Sequence, residues 1–239
     1  MKTKAILSLS GGLDSAVLLA HTAQSRDVSC VGFSYGSKHN PYENAAAVSI
    51  AAHYGVPFRL VDLSSVFLAM LKSDLLRNGG DVPEGHYEAD SMRRTVVPGR
   101  NLIFASLLAG LAMSDRANEV WMGVHAGDHF IYPDCRPDFF HHLNRAVLEA
   151  SEGSVWIRTP LMNIDKAEIV KRGIVLGVPF HLTRTCYVND PIACGRCGSC
   201  QERLEAFYLN GIEDPIKYNS RVLFPKGESS GKVEGGAGV

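Results

Sequence analysis

The chain has 239 residues with 24 basic and 25 acidic side chains, a formal charge of −1. Its 46% hydrophobic and 21% charged content excludes a disordered polymer, and the balanced charge excludes a broadly basic surface for gripping nucleic acid. Six cysteines are too sparse for a disulfide scaffold, and no apolar run approaches the ~18 residues of a membrane-spanning helix. Lys2 and Lys4 precede an apolar stretch as in a signal peptide. Gly11, Gly12 and Asp14 interrupt it, however, and no small-residue cleavage site follows. The expectation is a cytoplasmic protein with reduced thiols and no membrane partner.

Ala5 to Leu9 is the first apolar run, ending at Gly11-Gly12, and Asp14-Ser15 opens a helix through Ala16–Ala20. Val28 to Phe33 reads as a second buried strand. Pro41 then starts a helix that Gly55 ends, and Phe58 to Val61 is the third strand. Ser64 to Leu71 fits a short helix and Asn78 to Met92 a polar loop. Pro98-Gly99 introduces a strongly apolar helix over Asn101–Met113. Val120–Val124 and Val155–Arg158 complete the strands, with helices over Phe139–Ala150 and Lys166–Leu176. Strands apolar on both faces alternating with helices predict an α/β fold: a doubly wound, mainly parallel five-stranded sheet. The tail from Lys226 to Val239 has five glycines in fourteen residues and no aromatic, so it is expected to be flexible.

Ser10-Gly11-Gly12-Leu13-Asp14-Ser15 falls between the first strand and first helix, where open α/β sheets bind ligands. Two glycines let backbone approach an anion, and the helix start aims free N–H groups at it. Asp14 fits either a cap on those N–H groups or a ligand of a phosphate-bound magnesium. A tight turn with a helix cap is the plain alternative. Neither G-x-x-x-x-G-K-[ST] nor G-x-G-x-x-G is present. Farther on, the helix start at Gly99 together with Arg100 suits a phosphate or carboxylate. The polar run Gly123–Asp138, with Tyr132, Asp134 and Arg136, leaves the fourth strand on the same edge. It suits a purine-like base as readily as an Asp/Pro turn.

Cys186, Cys194, Cys197 and Cys200 follow C-x7-C-x2-C-x2-C, with Gly195 and Gly198 relaxing the backbone between sulfurs. Four thiolates close a tetrahedral structural zinc site; an iron–sulfur cluster and disulfides are the alternatives. Cys30, inside an apolar strand, reads as a core residue.

The Ser10–Ser15 run resembles the S-G-G-x-D-S signature of the PP-loop ATP pyrophosphatases, which adenylate a carboxyl or carbonyl oxygen. Further matching stretches are Tyr35-Gly36 with His39, Val97–Asn101, Gly123-Val124, Asp128, Tyr132–Arg136, Thr159–Leu161, Asp165-Lys166 and Thr185-Cys186-Tyr187 with the other three cysteines. Together they are similar to the 7-cyano-7-deazaguanine synthase family over about residues 3–210. Departures stand at Ser37, where Gln commonly follows Tyr-Gly, and at Phe130-Ile131, where small residues often precede Tyr-Pro-Asp-Cys-Arg.

The resemblance implies an adenine-nucleotide hydrolase-like, ATP-binding α/β domain over 1–182, a zinc-binding segment over 183–225 packed on it, and the tail. It implies an ATP-dependent carbon–nitrogen ligase turning 7-carboxy-7-deazaguanine and ammonia into 7-cyano-7-deazaguanine through adenylated carboxylate and amide. ATP with Mg²⁺ would sit on Leu9, Ser10, Gly11, Gly12, Leu13, Asp14 and Ser15. Asp14, Ser15 and Arg100 would act catalytically, Tyr132, Asp134 and Arg136 would meet the base, and the four cysteines would hold structural Zn²⁺. Family members are often dimers, and no direct nucleic-acid contact is implied. The competing readings are a PP-loop enzyme acting on a tRNA base or another carboxylate, and a zinc-stabilised module that binds ATP without chemistry.

Overall fold

The computed structural model describes residues 2–220 apart from His86, Glu88 and Ala89; the expected flexible tail lies outside the described residues. Five strands form one parallel sheet in the order β3-β2-β1-β4-β5: β1 (Thr3–Ser8), β2 (Arg26–Ser34), β3 (Phe58–Asp62), β4 (Glu119–Trp121) and β5 (Trp156–Arg158). Ala5 pairs with Val28 on one side and Glu119 on the other, so β1 is central. Its side chains alternate between two cores: Ile6 faces one, Ala5 and Leu7 the other. A strand buried on both faces has no polar side to offer, and this is why its buried centre, Ala5-Ile6-Leu7, is apolar throughout.

Helices α1 (Leu13–Ala23), α2 (Asn40–Tyr54), α6 (Lys166–Val175) and α7 (Gly198–Leu209) cover the Leu7 face. The short α3 (Ser64–Met70), with α4 (Arg100–Asp115) and α5 (Pro137–Ala150), covers the other. The chain winds outward from β1 through β2 to β3, then returns to add β4 and β5 on the opposite side. That reversal leaves a crevice at the carboxyl ends of β1 and β4, the switch point where doubly wound sheets bind ligands.

Three differences from the sequence reading matter for the site. The fourth strand ends at Trp121 rather than Val124: Met122 N–H still bonds the Arg158 carbonyl at 3.0 Å, and the chain then leaves the ladder. Gly123 passes against the start of α1, where a Cβ would lie 3.5 Å from Ser15 N. Second, Asp90–Thr95, at the end of the expected loop, forms a 3-10 turn. Third, the cysteine segment contains a twelve-residue helix, α7, that the cysteine spacing alone did not suggest. Ala206 and Phe207 of α7 pack into the same core as Leu7 and Leu18, so this segment is woven into the α/β core. Arg203, fully buried, fastens it. The guanidinium donates to Asp214 at 2.7 and 2.9 Å, to Thr183 Oγ1 at 2.6 Å and to the Phe180 carbonyl at 3.2 Å.

Candidate active site

The loop after β1 is shaped by what surrounds it. Gly11 has φ +85°, and a Cβ there would lie 2.2 Å from the Glu43 carbonyl oxygen, so both conformation and contact require glycine. Ser10 Oγ lies 3.2 Å from Ser15 Oγ and accepts from Gly12 N–H at 3.2 Å, while Ser15 Oγ donates to the Gly12 carbonyl at 3.0 Å. Arg184 N–H donates to the Gly11 carbonyl at 2.8 Å, which docks the approach to the cysteine segment onto the loop. Ser10, Gly12 and Ser15 line a cavity at the switch point, with the start of α1 directed into it. An anion seated there would meet hydroxyls and unpaired helical N–H groups.

Asp14 does not cap α1, which has no side-chain cap. Its carboxylate accepts from the Lys166 ammonium at 2.7 and 2.9 Å, and Lys166 also stands 3.3 Å from Glu202 of α7. Burial by itself would push Asp14 up; Lys166 and His125 overcome this and hold it below the ordinary carboxylate range. Glu202 is raised by burial despite the same two neighbours. His125 Nδ1 accepts from Gly127 N–H at 3.1 Å, and its Nε2 lies 3.4 Å from Asp128. Three carboxylates, one ammonium and one imidazole thus meet beside the Ser10–Ser15 loop.

The far end of the cavity is aromatic and carries two arginines. Phe33, Tyr35, Phe104 and Tyr187 line it with His39, Glu43, Arg100 and Arg184. Arg100 lies 6.0 Å from the centre of the Tyr35 ring and 5.9 Å from that of Tyr132, and no carboxylate of the described residues reaches ion-pair distance of it. Arg184 spends three hydrogen bonds on the carbonyls of Val188, Asp190 and Pro191, and its buried Nε stays unpaired.

The four cysteine sulfurs lie within 4.8 Å of one another and are buried. Backbone N–H groups of Val188, Cys194, Arg196 and Cys197 point at the sulfurs of Cys186 and Cys194 at 3.3–3.4 Å. Sulfurs converging at this spacing and receiving N–H bonds form a donor set for a tetrahedral thiolate-bound metal. Cys197 begins α7, so Ser199 and Glu202 enter the cavity one turn from the cluster.

Of the residues singled out in the sequence, Leu9, Ser10, Gly12, Asp14, Ser15 and Arg100 line the cavity. Gly11 and Leu13 shape the loop, Leu13 being buried beneath it. The base-contact group is placed differently. Asp134 accepts from Asn101 N–H at 2.8 Å, and so occupies the anion position at the start of α4 that was expected to receive a ligand. Arg136 donates from Nε to the His129 carbonyl at 3.0 Å. Neither lines the cavity, because the 3-10 turn over Pro133–Cys135 folds back on α4. Tyr132 is partly buried next to Arg100 with its hydroxyl 2.9 Å from Thr95 Oγ1. Sequence reasoning gave no role to Glu43, Lys166, Arg184, Tyr187 or Glu202. Lys166 and Tyr187 lie in matched stretches; Glu43, Arg184 and Glu202 had no motif to mark them.

A doubly wound parallel sheet that turns a Gly-Gly loop into a charged cavity at its switch point defines an α/β protein built to hold a ligand beside the ends of its central strands. The family model described as "Queuosine biosynthesis protein QueC" matches residues 4–211. The chain belongs to that family. The 7-cyano-7-deazaguanine synthase 2 of Colwellia psychrerythraea is 43% identical over 217 residues, covering 90% of this chain and 99% of that protein. The 7-cyano-7-deazaguanine synthase of Marinobacter nauticus is 43% identical over 220 residues, covering 91% and 98%. Among solved structures, a predicted tRNA methyltransferase subunit from Methanocaldococcus jannaschii overlaps 92% of this chain and 93% of its own, with 13% identity and a TM-score of 0.48.

Proposed function

We propose that the chain is a 7-cyano-7-deazaguanine synthase, converting 7-carboxy-7-deazaguanine, ammonia and MgATP to the nitrile. The observation that carries the site assignment is one cavity holding both the Ser10–Ser15 loop and Arg100, a partly buried cation with no carboxylate at ion-pair distance among the described residues. A carboxylate resists attack until one oxygen becomes a leaving group. Transfer of adenylyl to that oxygen releases pyrophosphate, and ammonia then displaces AMP to give the amide with loss of a proton. A second adenylation, on the amide oxygen, again releases pyrophosphate, and AMP departs as the C≡N bond forms and nitrogen gives up both amide protons.

In this reading Ser10, Gly12 and Ser15 hold the phosphates, and Lys166 balances Asp14 beside them. Arg100 orients the substrate carboxylate through a charge-assisted contact. Asp134 is a positioning residue, fixing the α4 turn from which Arg100 projects. No nucleophilic side chain is needed, so the site acts by orientation and charge. The four cysteines suit zinc, which would tie the Cys186 loop to α7 and supply no group to the reacting atoms. The partners are small molecules, the compartment is the cytoplasm, and a homodimer fits the reading. Among the described residues no helix is long and apolar enough to cross a membrane.

Incubation with the carboxylate, ATP and ammonium, followed by mass spectrometry, tests the proposal. Appearance of the nitrile is expected, and unchanged substrate counts against it. Asp14→Ala should abolish turnover with metal content unchanged.

A further inference from the structure

Glu43, in the first turn of α2, has no part in holding phosphate or carboxylate. Its side chain lines the cavity and is largely buried, with His39 Nε2 at 3.3 Å, yet it accepts no hydrogen bond of good geometry among the described residues. His39 does not serve as its counter-ion. Burial, reinforced by Arg100 and Arg184, holds His39 down to about 3, so the ring is neutral. Its Nδ1, fully buried, looks toward the Tyr187 backbone without completing a hydrogen bond. Burial pushes Glu43 itself up to about 8 against the pull of the same two arginines. Near neutral pH Glu43 is therefore mostly protonated in the ligand-free protein, and a ligand bringing two N–H donors to it would favour the carboxylate and release that proton.

We infer that Glu43 reads the base of the acceptor substrate, its two carboxylate oxygens accepting from the ring N1–H and the 2-amino group of the deazaguanine. The inference rests on the cavity being the substrate site. A guanine-type edge presents two parallel N–H donors that match a carboxylate. An adenine edge presents one donor beside the N1 acceptor, which would face the second oxygen lone pair to lone pair. Glu43 therefore suits the acceptor substrate and disfavours the base of ATP. Arg100 lies within Coulombic reach of Glu43. One planar molecule with a carboxylate at one end and a donor edge at the other would engage both. Tyr35 and Tyr187, flanking His39 with ring centroids 6.3 and 5.2 Å from it, offer faces against which such a molecule can stack.

The test compares 7-carboxy-7-deazaguanine with its analogue bearing hydrogen in place of the 2-amino group, in the native enzyme and in Glu43→Gln, and compares ATP with 2′-deoxy-ATP in parallel. The native enzyme should favour the amino-bearing substrate at least about tenfold in kcat/KM, because the analogue leaves one buried oxygen unpaired. In Glu43→Gln the preference should shrink to within about twofold while the KM for ATP is unchanged. Indifference of the native enzyme to the 2-amino group overturns the inference, and that arm stands even if the variant does not fold. Loss of discrimination against 2′-deoxy-ATP with the 2-amino preference intact also overturns it and assigns Glu43 to the ribose. Normal turnover by Asp14→Ala overturns the cavity assignment and this inference with it. Lost turnover there, beside an intact 2-amino preference in Glu43→Gln, overturns this inference alone.

Discussion

Replacing Lys166 by Met keeps the volume of the side chain and removes the ammonium that Asp14 and Glu202 share at 2.7 and 3.3 Å. The Lys166 side chain is only 8% exposed, too little for solvent to screen the loss. Removing one partner of a buried ion pair costs about 3–5 kcal/mol, since the remaining charges stay buried and unpaired. For a domain of this size that corresponds to a fall in Tm of roughly 6–20 °C. Turnover should fall further than stability explains, by about a hundredfold or more at a temperature where the variant is folded, because the charge beside the Ser10–Ser15 loop, proposed to hold the phosphates, is gone. Thermal unfolding by circular dichroism and product formation by mass spectrometry read the two effects separately. Adding Asp14→Asn should recover part of the lost Tm without recovering turnover. Lys171→Met is the control: that side chain is 70% exposed and 3.9 Å from Glu168, so its loss should change stability by less than about 1 kcal/mol. A Lys166→Met enzyme that melts within 2 °C of the native protein, as roughly a sub-kcal/mol change would produce, and turns over normally would refute the reasoning.

Three further outcomes are expected. Cys197→Ser should release the bound metal, measured by elemental analysis, and abolish turnover, because Ser199 and Glu202 enter the cavity from the turn that Cys197 begins; full activity in a metal-free variant would contradict this. Gly11→Ala should destabilise the fold by at least about 2 kcal/mol in chemical denaturation, since φ +85° disfavours a Cβ and the Glu43 carbonyl stands 2.2 Å from it. Stability of the ligand-free protein should differ between native and Glu43→Gln in one pH window. His39, lowered by burial from 6.5 to about 3, takes up a proton on unfolding, so its contribution to stability rises with pH between those values. Glu43, raised by burial from 4.5 to about 8, releases one on unfolding, so its contribution falls with pH between those values. The two oppose each other between 4.5 and 6.5. Above 6.5 the Glu43 slope stands alone and removes about 2 kcal/mol by pH 8, a loss that Glu43→Gln should abolish in denaturant titrations.

The strands of this protein were readable because a parallel sheet buried on both faces favours predominantly apolar runs, and Ala5–Leu9 and Val28–Phe33, broken only by Ser8 and Ser29, are such runs. The end of β4 was not, because Met122, Gly123 and Val124 are as apolar as a strand while their path is set by α1 packing against Gly123. The helix α7 was hidden for a related reason. Its first turn carries cysteines and glycine, and its apolar stripe becomes meaningful only against α6 and the Leu7 core.

The same division holds in the site. Local chemistry sufficed for the Ser10–Ser15 loop, whose glycines answer to backbone conformation, and for the four cysteines, whose spacing lets sulfurs converge. Both are properties of neighbouring residues, and the sequence by itself determined them, along with the sheet and its doubly wound order. Long-range encounters belong to the tertiary structure. Asp14 meets a lysine 152 positions away, and Asp134, expected to face a base, reaches back 33 positions to hold the start of α4. Whether a carboxylate is a cap, a counter-ion or a reader of substrate depends on which charges and donors the fold brings within a few ångströms of it. That distance is not written in the order of the residues.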